Sequence, residues 1–557
     1  MADEGRQLGP IDFRRAFGEY RHWNIEIDGS VATVTMAVDA NGGLGDDYEL
    51  KLNSYDLSVD IELYDIVQRF RFEHPQVGAV VITGGLDKVF CAGANIQMLA
   101  GASHEHKVNF CKFTNETRLG IEDATLTSGQ TWIAAVNGTA AGGGYELALA
   151  CEDIILVDDR STTVSLPEVP LLAVLPGTGG LTRVVDKRLV RRDLADLFAT
   201  RAEGVRAEQA LAWGLVDAIA PPSTFAETVR TRALDAANRT EHPTGPGITL
   251  GRLSRQEDDD SIRYSALTVE LDRPMAAAHF YIDGPTHDEP GSAEQLLAAG
   301  DAAWILRLCR ELDDAVLHLR FNETEIGTWV FHSRGDASAV LEVEETMERF
   351  AEHWLVREIR AFWKRTLKRL DTSSRTLVTL IEPGSCFVGT LAELVLAADR
   401  SFIFDNDPGD DGPPAPSIVL TRVNDGVLPM GNGLSRLQSR YWGRDEDLQS
   451  VLRLADKPLS GKDCARLGLV TFAFDELDWD DEIRLALEER ASFSPDALTG
   501  LEANLRFVGP ETMETKIFGR LSTWQNWIFL RPNASGPDGA LRLYGSGSRA
   551  SLNRKRV

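Results

Sequence analysis

Cysteine is scarce in this chain: six residues in 557 (Cys91, Cys111, Cys151, Cys309, Cys386 and Cys464), with no C-x-x-C pair and no dense framework. That spacing argues against a disulfide scaffold and the common zinc modules, and it predicts a reduced, cytoplasmic protein. Long apolar runs are missing as well; no stretch approaches the ~18 uninterrupted apolar residues of a membrane span. The opening residues, MADEGRQLGP, are acidic and hold no apolar h-region, so no secretory signal is expected. Basic charge is in short supply. Fifty-eight Lys and Arg against 85 Asp and Glu leave a formal charge of −27. Nucleic acid and anionic membrane both call for a basic face, so neither is expected as a partner. A polyanionic small molecule held by a local basic patch stays compatible with that charge. The last ten residues, SRASLNRKRV, carry most of their charge as Arg and Lys and are expected to form a frayed, solvated tail. His104 and His106 make an H-x-H with no ligand cluster nearby in sequence, which reads as a surface pair and not a metal site.

What is present is an ordinary globular composition, 43% apolar and 26% charged, in a chain long enough for two or three domains. The second half repeats the first in weakened form. AVVITGG from Ala79 finds an echo in AVLHLRF from Ala315, and VFCAGAN at Val89 in VFHSRGD at Val330. ELALACED from Glu146 matches ELVLAADR from Glu393, LPGTGGLTR from Leu175 matches LPMGNGLSR from Leu428, and GLV at Gly214 returns at Gly468. The pairs stay collinear, which marks a duplicated domain. Each copy alternates short β-rich runs (GAVVITG, TWIAAVNG, DIILVDD) with helical patterns, the reading of an α/β unit. The boundaries expected are an N-terminal extension over 1–22, a first domain over 23–225, a linker or insertion over 226–300, a degenerate repeat over 301–475, and a C-terminal helical region with a basic tail over 476–557. Segments 341–370 and 480–530 read as helical.

Three consecutive glycines, Gly142 to Gly144, precede the helix-forming YELALACE. Glycine is costly in regular structure, so a run of three implies a sharp turn or a close approach. A strand ending at Val136, a turn and a helix starting near Gly144 would present free N–H groups at a helix N-terminus, which attracts anionic oxygen. An oxyanion hole needs donors of that kind. A second small-residue loop, FCAGANI, can offer another N–H from Ala94, and Glu168 stands in the Pro-rich, apolar LPEVPLLAVL.

These motifs, in order, resemble the crotonase (enoyl-CoA hydratase/isomerase) superfamily. AGAN resembles its first oxyanion-hole loop and AVNGTAAGGGYEL its second loop and helix. PEVPLLAVLPGTGGLTR resembles the segment bearing its second catalytic acid, and AEQALAWGLVDAI its later A-x-x-A-x-x-x-G-L-V signature. The resemblance runs from about Trp23 to Ala220 and implies a crotonase-type ββα spiral fold, here duplicated and carrying additional helical segments. It implies an acyl-CoA substrate whose thioester oxygen is bound by the Ala94 and Gly143 amides, with Glu146 and Glu168 as paired catalytic carboxylates. It also places Asn95, Ile96, Gly142 and Tyr145 among the substrate- and CoA-binding residues. A carboxylate pair can activate water with one member and protonate a leaving oxygen with the other. Which member does which, the residues leave open. Cys111, seventeen positions after Ala94, is read either as a contact to the acyl group that assists proton transfer or as a buried small hydrophobe.

The second copy reads as catalytically dead. Gly389, Thr390 and Leu391 stand for the three glycines, and Thr421 is expected at the place of Glu168. Asn95 where many members carry Asp, Tyr145 beside Glu146, the duplication and the intervening segment all depart from a common hydratase. Over its whole length the chain resembles a ring-cleaving branch of the superfamily that serves aerobic, CoA-dependent benzoate degradation. That resemblance implies 2,3-epoxy-2,3-dihydrobenzoyl-CoA and two waters as substrates, and 3,4-dehydroadipyl-CoA semialdehyde and formate as products. An ordinary hydratase or isomerase of linear acyl-CoA is the alternative. No cofactor beyond the CoA of the substrate and no metal is expected, and a homo-oligomer, a dimer, would assemble through 480–530.

Overall fold

The computed structural model describes residues 9–243, 245–405 and 415–557. The chain divides between Arg252 and Leu253 into two compact units. In the first, β1 (Trp23–Asp28) and β2 (Val31–Met36) form an antiparallel hairpin, followed by α1 (Leu57–Phe72), β3 (Ala79–Gly84) and β4 (Lys88–Cys91). Then come α2 (Ile96–Gly101), α3 (His104–Thr127), β5 (Thr131–Val136), β6 (Gly138–Ala141) and α4 (Gly143–Ala150). The unit continues with β7 (Asp153–Val157), β8 (Thr163–Ser165), α5 (Glu168–Leu172), β9 (Val205–Arg206) and β10 (Ala218–Ala220). A six-stranded sheet has the order β1-β2-β3-β5-β7-β10, and a four-stranded sheet the order β4-β6-β8-β9. The chain thus lays one strand in the large sheet and the next in the small one, then closes the turn with helix. That ββα spiral winds three times.

Local chemistry sets the element ends. Asp56, Asn95 and Ser103 each accept a backbone N–H as N-caps of α1, α2 and α3. The parallel register Ala79↔Thr131, Val81↔Ile133 and Thr83↔Ala135 puts Ala79, Val81, Ile133 and Ala135 on one face of the sheet. The helix Phe225–Arg239 covers that face with Val229, Ala233, Ala236 and Ala237. Away from this face, Phe70 of α1 meets Trp132 of β5 edge to face at 6.1 Å.

The second unit repeats this topology. β11 (Gln256–Asp258), β12 (Ser261–Arg263), β13 (Leu267–Asp272) and β14 (Ala277–Asp283) form an antiparallel meander. β15 (Thr328–Arg334), β16 (Thr376–Ile381), β17 (Arg400–Phe404) and, later in the chain, β20 (Phe472–Phe474) then add in parallel to complete eight strands. The small sheet shrinks to β18 (Ile418–Val419) paired with β19 (Pro458–Leu459), plus a bridge from Val388 to Val419. The helix Trp479–Ser492 covers the large sheet as Phe225–Arg239 does in the first unit.

Three expectations change. The hairpin β13–β14, the helix Trp304–Asn322 and β15 repeat β1–β2, α1 and β3, so the second copy begins before residue 301. Residues 226–300 hold a helix of the first unit and four strands of the second. Ala315, matched in sequence to Ala79, lies within the helix Trp304–Asn322, and Val330 lies in the counterpart of β3, not of β4. Short apolar runs such as AVLHLRF do not distinguish a strand from a buried helix by periodicity. The basic tail is not frayed at its end: Arg556 donates to Glu502 (2.9 Å) and to the Ser374 carbonyl (3.0 Å), and both Arg556 and Val557 are buried.

Candidate active site

The loop after β4 and the loop before α4 meet. Gly142 has φ +53°, a conformation that favours glycine, and its N–H donates to the Ser165 carbonyl (2.9 Å), joining the second and third turns of the spiral. A Cβ built on Gly143 would lie 3.3 Å from the Ala94 nitrogen, and one on Gly93 would lie 2.9 Å from the Gly143 nitrogen. The two amides therefore flank one small space. Neither N–H donates to a group among the described residues. β6 runs directly into Gly142, so a strand, and not a turn, delivers the glycines.

Glu146, in the first turn of α4, is buried, and its carboxylate accepts from three donors. Oε1 accepts from Thr178 N (3.0 Å) and Gly180 N (2.7 Å), while Oε2 accepts from the Thr178 hydroxyl. These donors hold the carboxylate in one orientation. Thr178 and Gly180 lie in LPGTGGLTR but drew no role from sequence, because a loop that folds back on a residue over thirty positions earlier leaves no periodic signal.

Glu168 opens α5 and is half-buried. Its Oε1 lies against Gly142, where a Cβ would come within 2.5 Å, and its Oε2 finds no hydrogen-bond partner among the described residues. Burial first, and then the charge of Glu146, push the Glu168 carboxyl up to about 7. The two expected carboxylates are thus brought together and sit in different states, one fully engaged and one free to exchange a proton near neutrality.

Cys111, on α3, faces the same loop: its sulfur would be 3.4 Å from a Cβ on Gly177. Burial, with Glu146 adding to it, raises the thiol to about 11, so it stands as S–H. Other expected contacts resolve differently. Asn95 spends its side chain on structure, accepting from Met98 N (2.9 Å) and donating to the Glu49 carbonyl (2.9 Å) and Ser54 (3.2 Å). It fixes the Ala94 loop. Ile96 is exposed at the start of α2. Tyr145, expected to bind substrate, is packed in the core; its hydroxyl donates to the Leu215 carbonyl (2.8 Å) and its ring meets Phe198 edge to face. One helical position from Glu146 turns the tyrosine onto a different face.

In the second copy Gly389 (φ +51°) donates to the Val419 carbonyl (2.9 Å), as Gly142 does to Ser165, which makes Thr390 the counterpart of Gly143. The Thr390 N–H donates to the carboxylate of Glu344 at 2.7 Å. Counting from the same strand, Arg422 and not Thr421 takes the place of Glu168; Thr421 is the N-cap of the short helix that Arg422 opens. The sequence pairing there was one residue out of register.

A family model described as enoyl-CoA hydratase/isomerase matches residues 49–243, which hold every site residue of the first copy. The benzoyl-CoA-dihydrodiol lyase of Aromatoleum evansii is 51% identical over 549 residues, 98% of this chain and 98% of its own. The fatty acid oxidation complex subunit alpha of Shewanella loihica is 32% identical over 39% of this chain and 28% of its own. A crystal structure of an enoyl-CoA hydratase from Geobacillus kaustophilus HTA426 aligns with 40% of this chain and 76% of its own, at 30% identity and a TM-score of 0.35.

Proposed function

This chain belongs to the benzoyl-CoA-dihydrodiol lyase family, within the enoyl-CoA hydratase/isomerase superfamily, and from that premise we propose that it opens the ring of 2,3-epoxy-2,3-dihydrobenzoyl-CoA. The observation that carries the reading is identity to a benzoyl-CoA-dihydrodiol lyase along nearly the whole chain, second copy included. A linear-chain hydratase would not account for that coverage.

The chemistry balances with water alone. Ring carbon C2 leaves as formate with two oxygens and C3 keeps one as the aldehyde; the three are the epoxide oxygen and those of two waters. No net oxidation occurs, so the reaction calls for no redox cofactor, and CoA is supplied by the substrate. Cleavage of C1–C2 leaves its electron pair on C1, α to the thioester, as an enolate. The Ala94 and Gly143 amides, which donate to no group among the described residues, bind that oxygen in this reading, each such donor being worth on the order of 10²–10³ in rate. Glu146, oriented by Thr178 and Gly180, takes a proton from the attacking water. Glu168, with its free Oε2 and a pKa of about 7, delivers the proton that C1 or the leaving oxygen needs. The Cys111 thiol, uncharged, lines the acyl side and is not a nucleophile in this scheme.

The same reading makes the protein a cytoplasmic homodimer that engages neither nucleic acid nor membrane. Exposed apolar residues near the C-terminus, among them Phe518, Leu530 and Tyr544, support self-association there. The deciding experiment supplies purified protein with freshly generated 2,3-epoxybenzoyl-CoA and no added cofactor. Stoichiometric formate is the expected result. No formate, with rapid hydration of crotonyl-CoA instead, would return the chain to the hydratases.

A further inference from the structure

Buried hydroxyls without a partner are uncommon, and one lies beside the proposed oxygen site. Tyr55 sits just ahead of α1 and is clamped to the Ala94 loop by its own backbone. Its N–H donates to the Gly93 carbonyl (3.0 Å), and its carbonyl accepts from Asn95 N (2.8 Å). The ring lies 6.0 Å from Phe110, centre to centre, and the Arg118 guanidinium stands 5.4 Å from its centroid. Arg118 is itself pinned by Asp60 at 2.5 Å. This packing leaves Tyr55 1% exposed and delivers its hydroxyl to Gly143: a Cβ there would be 2.1 Å from the phenol oxygen. The hydroxyl makes no hydrogen bond among the described residues.

Resting on the reading of Ala94 and Gly143 as donors to the thioester oxygen, we propose that the Tyr55 hydroxyl is a third donor to that oxygen, strongest when it becomes the enolate. Burial keeps the phenol protonated, and the cation over its ring draws electron density from it, which makes the O–H a better donor. The second copy gives independent support. Counting back from the helix Trp304–Asn322, the counterpart of α1, the place of Tyr55 is taken by Ala302, and there the Thr390 amide is engaged by the protein's own Glu344. The hydroxyl is kept where the hole is free and missing where it is plugged.

The test uses the full chain and 4-hydroxybenzoyl-CoA, whose absorption moves to longer wavelength when donors polarise its carbonyl. Wild type should shift the band, and Tyr55→Phe should shift it less than half as far. With the true substrate, Tyr55→Phe should lower kcat by about 10–100-fold, with KM and the affinity for free CoA changed less than about threefold. 3-Fluorotyrosine at position 55, which keeps the shape and sharpens the donor, should enlarge the shift and also guards against a folding defect in the phenylalanine variant. A band and kcat unchanged in Tyr55→Phe, or no enlargement with fluorotyrosine, would overturn the proposal while leaving the two-amide site intact. A bound thioester that shows no shift in wild type would overturn the two-amide reading, and this proposal with it.

Discussion

Glu146 and Glu393 occupy the same point in the two copies, near the start of the short helix that follows the glycine turn, and both are buried. What surrounds them differs. Glu146 accepts from two backbone amides and a hydroxyl, while the arginine of its loop, Arg183, turns away to Glu122 (2.8 Å). In the second copy the matching Arg436 bonds both Glu393 (3.0 Å) and Asp371 (2.7 Å), and Asn424 donates to Glu393 at 2.7 Å. The carboxylate is the same, but one copy holds it with neutral donors beside a free second acid, and the other neutralises it inside an ion-pair network. The amides differ likewise: Gly143 N–H donates to no group among the described residues, whereas Thr390 N–H donates to Glu344. At the place of Glu168 the second copy carries the exposed Arg422.

The sharpest way to break this comparison is to remove the carboxylates in turn. Glu146→Gln and Glu168→Gln should each lower kcat by about 10²–10⁴-fold with CoA binding retained, and Glu393→Gln should leave kcat within about twofold. A comparable loss at Glu393 in a formate assay would show that the second copy takes part. Arg436→Met addresses the network instead. Stranding Asp371 and Glu393 without their cation should cost about 3–5 kcal/mol in denaturant unfolding, since breaking a buried pair leaves an uncompensated charge.

Gly143→Ala would put a methyl against the Tyr55 hydroxyl and should cost about 10²-fold in kcat. A smaller effect is expected from pH. The Glu168 carboxyl is raised from an ordinary carboxylate value to about 7 in the folded protein. The unfolded chain therefore ionises first as pH rises, and stability falls between about pH 4.5 and 7. Glu168→Gln should melt above the parent at pH 8 and level with it near pH 4; kcat/KM of the parent should decline above about pH 7 as the acid is lost. A lower melting temperature at pH 8 would contradict the cause assigned to the shift. Smallest is Thr421→Ala, which removes a helix N-cap bond and should cost about 1 kcal/mol without changing turnover.

The loops of the candidate site could be read locally. AGAN, AAGGGYEL and PEVP set their own turns, caps and helix starts, because glycine, asparagine and proline restrict or free the backbone over two or three residues. The duplication was legible for the same reason from Glu146 onward, apart from the one-residue slip at Thr421, and lost its register earlier, where AVLHLRF fits strand and helix alike. Tyr145 was misjudged because adjacency in sequence does not give the direction of a side chain around a helix.

The amino-acid sequence by itself determined that this is a duplicated α/β protein with Glu146 and Glu168 in its first copy and Glu393 without a second acid in the other. Only the tertiary structure decided that Thr178 and Gly180 hold Glu146, that the Glu168 Oε2 has no hydrogen-bond partner among the described residues and its carboxyl is raised to about 7, that Tyr55 reaches Gly143, and that Glu344 takes the Thr390 N–H. Each of those facts joins residues more than twenty positions apart. Such contacts exist only after the ββα spiral has stacked its turns, and burial and charge proximity, which set proton affinities, come into being at the same moment.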